Sequence, residues 1–203
     1  MAQEHILKVS RLESLSDGIF AIAMTILILN LSIPPETDIG DIMSFLRTDI
    51  LLKLFVYIGS FIILGTLWIG MHFQMGMLDH INRPYLWTHV FYLMIVCIVP
   101  FSASLIAAHF HHVIALSFFA INLLCASLMQ LIIFQFAYYY KLNRKIYNQE
   151  MRFAVIRRVI LAPIFYTAAL IVAHWHTQIA FVLLIIPIMF YIRPGRIDRY
   201  DVI

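Results

Sequence analysis

Ile22, Ile26, Leu29 and Ile33 recur at i, i+4, i+7 and i+11 of one stretch, with Thr25 and Ser32 as the hydroxyls flanking them. That spacing puts four branched aliphatics on one face of a helix. Two arrangements satisfy such a stripe. It packs against lipid or a neighbouring helix, as on any apolar membrane helix, or copies of it meet around an axis. A helix uses its carbonyls internally, so in the second case an ion meets rings of isoleucine and leucine with a hydroxyl nearby. The chemistry open to such a constriction is partial dehydration of a cation.

A charged foot precedes the stripe. Ser10-Arg11-Leu12-Glu13 has capping-box spacing and is expected to start the helix, so Arg11, Glu13, Ser14, Ser16 and Asp17 ride on it. Arg11 and Asp17 are six apart, too far round to pair as i,i+4 neighbours, and each is expected to find partners on other helices. His72 lies within an apolar run, where an ionisable group is a functional candidate by default; its expected duty is a hydrogen bond to the Asp17 group. His109, His111 and His112 crowd one turn, too short to fix a metal's geometry, and are expected to titrate at an interface and tune any response to pH. His174 and His176 flank a later turn. Cys97 and Cys125 sit in apolar runs and encode no disulfide framework or metal knuckle. With no nucleophile elbow, P-loop, dinucleotide fold or zinc-protease helix, neither enzymatic activity nor a cofactor is expected.

The elements that position these residues follow from composition. The 203 residues are 63% hydrophobic and 12% charged, with a mean hydropathy of +0.90. Soluble chains carry about twice that charge, and disorder, collagen, coiled coil and secreted disulfide scaffolds are excluded with them. Crossing a bilayer takes about 20 apolar residues. Six spans are expected, at about 10–33, 54–78, 84–108, 113–140, 157–175 and 177–192, forming one all-α transmembrane domain over 1–203. Their connections are a polar loop at 34–49, a turn at 79–83, the histidine turn 109–112, a basic loop at 141–158 and a turn at 174–176. The uncharged part of the first span, Gly18 to Ile33, is only about 24 Å long at 1.5 Å per residue, which suits a bundle interior better than lipid. Pro34-Pro35 stands where a signal cleavage site would be needed, so this span is read as retained.

Charge placement sets the orientation. Lys8, Arg11, Arg83, Lys141, Arg144, Lys145, Arg152, Arg157, Arg158, Arg193, Arg196 and Arg199 fall on one side of the six-span scheme; only Arg47 and Lys53 fall on the other. The positive-inside rule places both termini in the cytoplasm. Glu36, Asp38, Asp41 and Asp49 then lie outside, where they solvate a loop or concentrate cations. The net charge of +3 is thus a record of topology. Gly59, Gly65, Gly70 and Gly76 thin the second span, which is expected to pack closely against a neighbour, the first span. Pro100, Pro163 and Pro187 are expected to kink spans three, five and six. Tyr138-Tyr139-Tyr140 before Lys141 marks a membrane interface.

The stretch from Arg11 through Ser16, Asp17, Ile22, Thr25 and Ile26 to Leu29 resembles the signature helix of the transmembrane-protein-175 family of potassium channels, with Leu15 where the family has phenylalanine. Trp68, His72 and Pro100-Phe101 echo the family further on, and His89 stands where it often has asparagine. The resemblance covers roughly 11–33, with scattered matches through 68–101. It implies a prokaryotic single-repeat member, a multi-pass protein of the cell membrane that assembles as a homotetramer with four first helices around the ion path. Carried over, Ile22, Ile26 and Leu29 are the constriction and Thr25 the hydroxyl beside it. Arg11, Ser16, Asp17, Trp68 and His72 become a structural network. The implied partners are further copies of the chain, monovalent cations with potassium as the permeant ion, and the bilayer, with no nucleic acid. No TVGYG-like loop is present, so selectivity would come from dehydration, which favours potassium over sodium modestly. A secondary transporter, proton-coupled through Asp17 or His72, and a non-conducting scaffold are the other readings; the internal repeats usual in transporters are not seen.

Overall fold

In hydrocarbon no water is available to backbone polar groups, so a chain this apolar satisfies them within helices. A computed structural model describes residues 8–31, 50–110, 112–144 and 149–192. Among them run α1 (Val9–Ile26), continued by a 3₁₀ segment Leu27–Leu31, α2 (Leu51–Gly76), α3 (Arg83–Ala108), α4 (Val113–Tyr139), α5 (Gln149–Val159), α6 (Leu161–Val172) and α7 (Thr177–Ile192). The described residues form no strand, only one isolated bridge between Leu78 and Asn143. Five stretches are long and apolar enough to cross a membrane: Val9–Leu29, Leu51–Gly76, Arg83–Ala108, Val113–Tyr139 and Gln149–Val172; Thr177–Tyr191 is a shorter apolar helix. The chain is an all-α integral membrane protein. The loop expected at 34–49 lies outside the described residues.

Several boundaries differ from expectation for physical reasons. No capping box forms at Ser10: the N-cap lies two residues earlier at Lys8, whose side chain makes no cap bond, and α1 starts at Val9. Glu13 turns instead to a tertiary partner on α2. The uncharged part of α1 is short, but the helix is not, because its polar foot is helical. Half of the expected loop 141–158 is also helix, since α5 begins at Gln149 and carries Arg152, Arg157 and Arg158. Neighbours take up two of those heads: Arg152 Nη2 donates to Gln135 Oε1 at 2.8 Å and Arg158 Nη2 to Tyr191 O at 2.6 Å, while Arg157 stays exposed. The break at Ile160 between α5 and α6 precedes Pro163, whose ring cannot donate to the Val159 carbonyl.

Pro100 acts differently, because α3 runs through it. The buried Asn122 amide of α4, oriented with its nitrogen donating to Ile95 O at 3.1 Å, accepts from Val99 N–H at 3.1 Å and from the Ser102 hydroxyl at 3.0 Å. It thus bridges backbone groups in the turn where proline disturbs the helix. Replacing Asn122 by leucine strands these groups in an apolar interior, at a cost of about 1–3 kcal/mol. The expected result is a lower thermal unfolding midpoint of the detergent-purified chain, with Asn122→Gln recovering part of it.

α4 is flanked by α3 and α6, α7 packs on α6, and α1 lies against α2 and α3. The glycines of α2 do not open a path for α1. A Cβ at Gly70 would come within 3.0 Å of the Gln130 amide on α4, one at Gly59 would touch Ile185 of α7 at 3.9 Å, and Gly65 and Gly76 face open space. Gly70 makes room for Gln130, whose Nε2 donates to Leu67 O at 2.7 Å.

Candidate functional site

The two faces of α1 have opposite fates. Leu12, Ser16, Phe20 and Ala23, with Leu27 just beyond, are buried at spacings of three and four residues, which is the stripe a helix presents to its neighbours. The other face stays open. Ile22 is 60% exposed, Ile26 44% and Leu29 69%, and Thr25 is exposed beside them. Of the five spanning stretches α1 is the least covered, with 28% of its most apolar window buried against 33–50% in the others. Ser32 and Ile33 lie outside the described residues.

The Thr25 hydroxyl donates to Ile22 O at 2.9 Å. Its proton is committed to its own helix, so its lone pairs are what an approaching group meets, and lone pairs suit a cation. Two residues beyond Thr25 the helix tightens to 3₁₀ geometry, in which side chains three apart eclipse and each residue rises about 2.0 Å. Ile26, at the junction, and Leu29 are three apart and both exposed.

The foot of α1 is held at three points. Trp68 Nε1 donates to Asp17 Oδ1 at 2.8 Å, and His72 Nδ1 lies 3.2 Å from Glu13 Oε1. Both pairs are four residues apart on their own helices, so one antiparallel register of α2 on α1 makes both contacts. The Trp68 and His72 rings stack at 5.6 Å, which fixes them as a unit. On α3, His89 Nε2 lies 2.9 Å from Ser16 Oγ, and Tyr92 meets Phe20 with ring centroids 6.2 Å apart.

The structure therefore brings Asp17 to Trp68 and Ser16 to the interior, but distributes the expected group differently. His72 pairs with Glu13, not with Asp17. Arg11 is exposed at the open face, and among the described residues no side chain pairs with it. His89, to which the sequence assigned no role, is the partner of Ser16. Its signal was present in the sequence: an ionisable residue in an apolar span, four after Tyr85 and three before Tyr92, on one helix face. Among the described residues no three His, Cys, Asp or Glu side chains gather as a metal site. His109 and His112 approach edge to face at 6.0 Å, and His111 lies outside the described residues.

The model of the family described as the endosomal/lysosomal potassium channel TMEM175 matches residues 11–100. Residues 11–100, a little under half of the chain, are thus similar to the TMEM175 family. That TMEM175 match takes in α1, α2 and α3 through Pro100, and with them every residue of the α1 site and its anchors. A potassium channel of Streptomyces collinus is 29% identical over 99 residues, covering 49% of this chain and 48% of its own. One of Chryseobacterium sp. strain P1-3 is 31% identical over 101 residues, covering 49% and 50%. The chain thus spans about half the length of the curated relatives it matches. A TMEM175 homolog from Chamaesiphon minutus, described as a lysosomal potassium-selective channel, has a crystal structure that superposes with a TM-score of 0.75 at 19% identity. It covers 90% of this chain and 95% of that one. The likeness in fold continues beyond residue 100, into the region that the family model leaves unmatched.

Proposed function

We propose that this protein is a potassium-permeable cation channel: a homotetramer in which four α1 helices surround the ion path, with both termini cytoplasmic. The observation that carries the reading is the uncovered face of α1. A helix anchored at three points on α2 and α3 leaves open the stripe that includes Ile22, Thr25, Ile26 and Leu29. Four copies meeting on that face would stack apolar rings, with the Thr25 hydroxyls beside them. The rings hold back water and hydrated ions, and the hydroxyls replace part of the hydration that a cation loses. Potassium sheds water more readily than sodium, so the expected preference for potassium is modest. The relatives' names as potassium channels support the permeant ion.

The experiment is reconstitution of the full chain into vesicles with a potassium gradient, together with recording in planar bilayers. Unitary current steps, with potassium exceeding sodium, are expected. Saturable flux tied stoichiometrically to protons would instead make it a transporter, and vesicles that pass no ion would make it a scaffold. A structure of the assembly with Ile22 turned away from a four-fold axis would remove the assignment of the constriction.

A further inference from the structure

A cationic cluster at the end of α4 takes no part in the α1 site. Lys141, Arg144 and Arg152 line an open cavity of about 620 Å³ with Tyr138, Tyr139 and Asn143. The backbone places them there. α4 ends with Leu142 N–H donating to Ala137 O at 2.9 Å and Lys141 N–H donating to Tyr138 O at 3.1 Å, a Schellman turn whose left-handed position favours glycine. Lys141 occupies it at φ 55°, so an ammonium stands where a glycine would relax the chain. Arg144 is tied to the end of α2 through its N–H to Met77 O at 3.0 Å and its Nε to Leu78 O at 3.3 Å.

The guanidinium of Arg152 lies 3.8 Å over the Tyr138 ring and donates through Nη2 to Gln135 Oε1 at 2.8 Å. Its Nε is buried without an acceptor among the described residues. Within those residues no carboxylate lies within ion-pair distance of any of the three cations; Glu13 lies instead beside His72 and Asp79 beside His80. Glu150 is two residues from Arg152 on α5, a spacing that turns them to different faces.

An apolar groove of about 390 Å³ runs back along the last turns of α4 over Leu131, Ile132 and Phe136, and shares Gln135 and Tyr139 with the basic cavity. The tyrosine run puts the junction at the level of the headgroups. A binder must therefore be anionic at one end and apolar at the other. We infer that the α4–α5 junction binds an anionic phospholipid, its phosphate among Lys141, Arg144 and Arg152 and an acyl chain along the α4 groove. A soluble anion would use the cavity and leave the groove unfilled; a zwitterionic lipid would fill the groove but offer the three cations no net charge.

The test uses the full chain in phosphatidylcholine bilayers with and without phosphatidylglycerol, with co-purifying lipid counted by native mass spectrometry. Wild type is expected to enrich phosphatidylglycerol. Lys141→Gly and Arg152→Gln should each lower the enrichment about fivefold, as loss of one interfacial basic residue implies. Lys141→Gly relaxes the left-handed residue, so its loss of lipid should come with an unfolding midpoint at or above wild type, which separates charge from misfolding. Lys8→Gln removes an exposed charge at the start of α1 and should leave the enrichment intact. Three results would overturn the site: no preference for phosphatidylglycerol, enrichment unchanged in Lys141→Gly, or an equal fall in Lys8→Gln, which would indicate diffuse attraction. Displacement of the lipid by added inorganic phosphate would identify a soluble-anion site instead.

Discussion

Replacing Ile22 by asparagine is expected to raise cation flux and to narrow the gap between potassium and sodium. Ile22 is well exposed in the single chain and stands three residues before Thr25, whose hydroxyl bonds back to its carbonyl. If four copies meet on this face, the isoleucines present a dry ring that an ion crosses only after losing water. An amide there supplies a carbonyl oxygen in place of methyl groups, so less hydration energy goes uncompensated. A net hydrogen-bond-scale gain of about 1–2 kcal/mol lowers the barrier enough for roughly a five- to thirtyfold increase in rate. Because the same oxygens also serve sodium, the dehydration difference that separates the two ions shrinks. Ile22→Val keeps the ring apolar and should shift flux only slightly. Ile114→Asn, at a position of α4 that is 78% exposed and distant in sequence from the constriction, should leave flux and ion preference as they were. Flux assays with both cations decide the matter; an Ile22→Asn protein that assembles normally and conducts like wild type would remove Ile22 from the ion path.

Much of this architecture was legible because membranes impose few choices. Uncharged runs of the right length become helices, and α1 to α4 fall close to where hydropathy puts them. Local signals were less dependable where a tertiary partner competed for the same side chain. Ser10 and Glu13 carry a cap signature, yet His72 takes Glu13 and the helix begins before Ser10. The three span prolines show the same limit. Pro163 follows a break between α5 and α6, Pro187 lies inside a continuous α7, and Pro100 is accommodated by an asparagine from the next helix. Nothing in the residues around each proline distinguishes these outcomes, since the deciding group at Pro100 is Asn122, more than twenty positions away.

The anchors of α1 were partly legible for a related reason. The types were readable, because Asp17, Trp68, His72 and Ser16 are polar or amphipathic residues that apolar spans rarely carry without partners. The pairing was not, because it depends on register. Only the antiparallel alignment of α2 on α1 gives Trp68 to Asp17 and thereby His72 to Glu13. α3 runs in the same direction as α1, and it supplies His89 to the interior-facing Ser16 between those two contacts. α1 is thus gripped from two sides at its foot, while its upper half keeps one face uncovered.

That grip makes Ser16→Ala a costly small change at the foot of α1. The Ser16 hydroxyl donates to Leu12 O at 2.8 Å, which assigns the remaining contact as His89 Nε2–H donating to the serine oxygen. Both residues are buried, and His89 Nδ1 has no partner among the described residues. The two residues are therefore unequally dependent on each other. Removing the serine oxygen leaves an imidazole N–H with no acceptor in an apolar interior, a loss of about 1–2 kcal/mol. Removing the imidazole with His89→Leu leaves Ser16 still bonded to Leu12, and the loss is limited to ring contacts with Tyr85 at 6.2 Å and Tyr92 at 5.7 Å, each worth about 0.5–1.5 kcal/mol at most. The double change removes both polar partners together, so it should be no less stable than His89→Leu alone by more than a few tenths of a kcal/mol. Unfolding of the purified chain and its three variants in detergent forms a complete cycle, and the expected coupling is that the double variant loses less than the sum of the singles. Additive losses would mean that Ser16 and His89 are neighbours without a bond. The grip of α3 on α1 would then rest on Phe20 and Tyr92 packing, and Ser16 would serve only as a small residue at a close crossing.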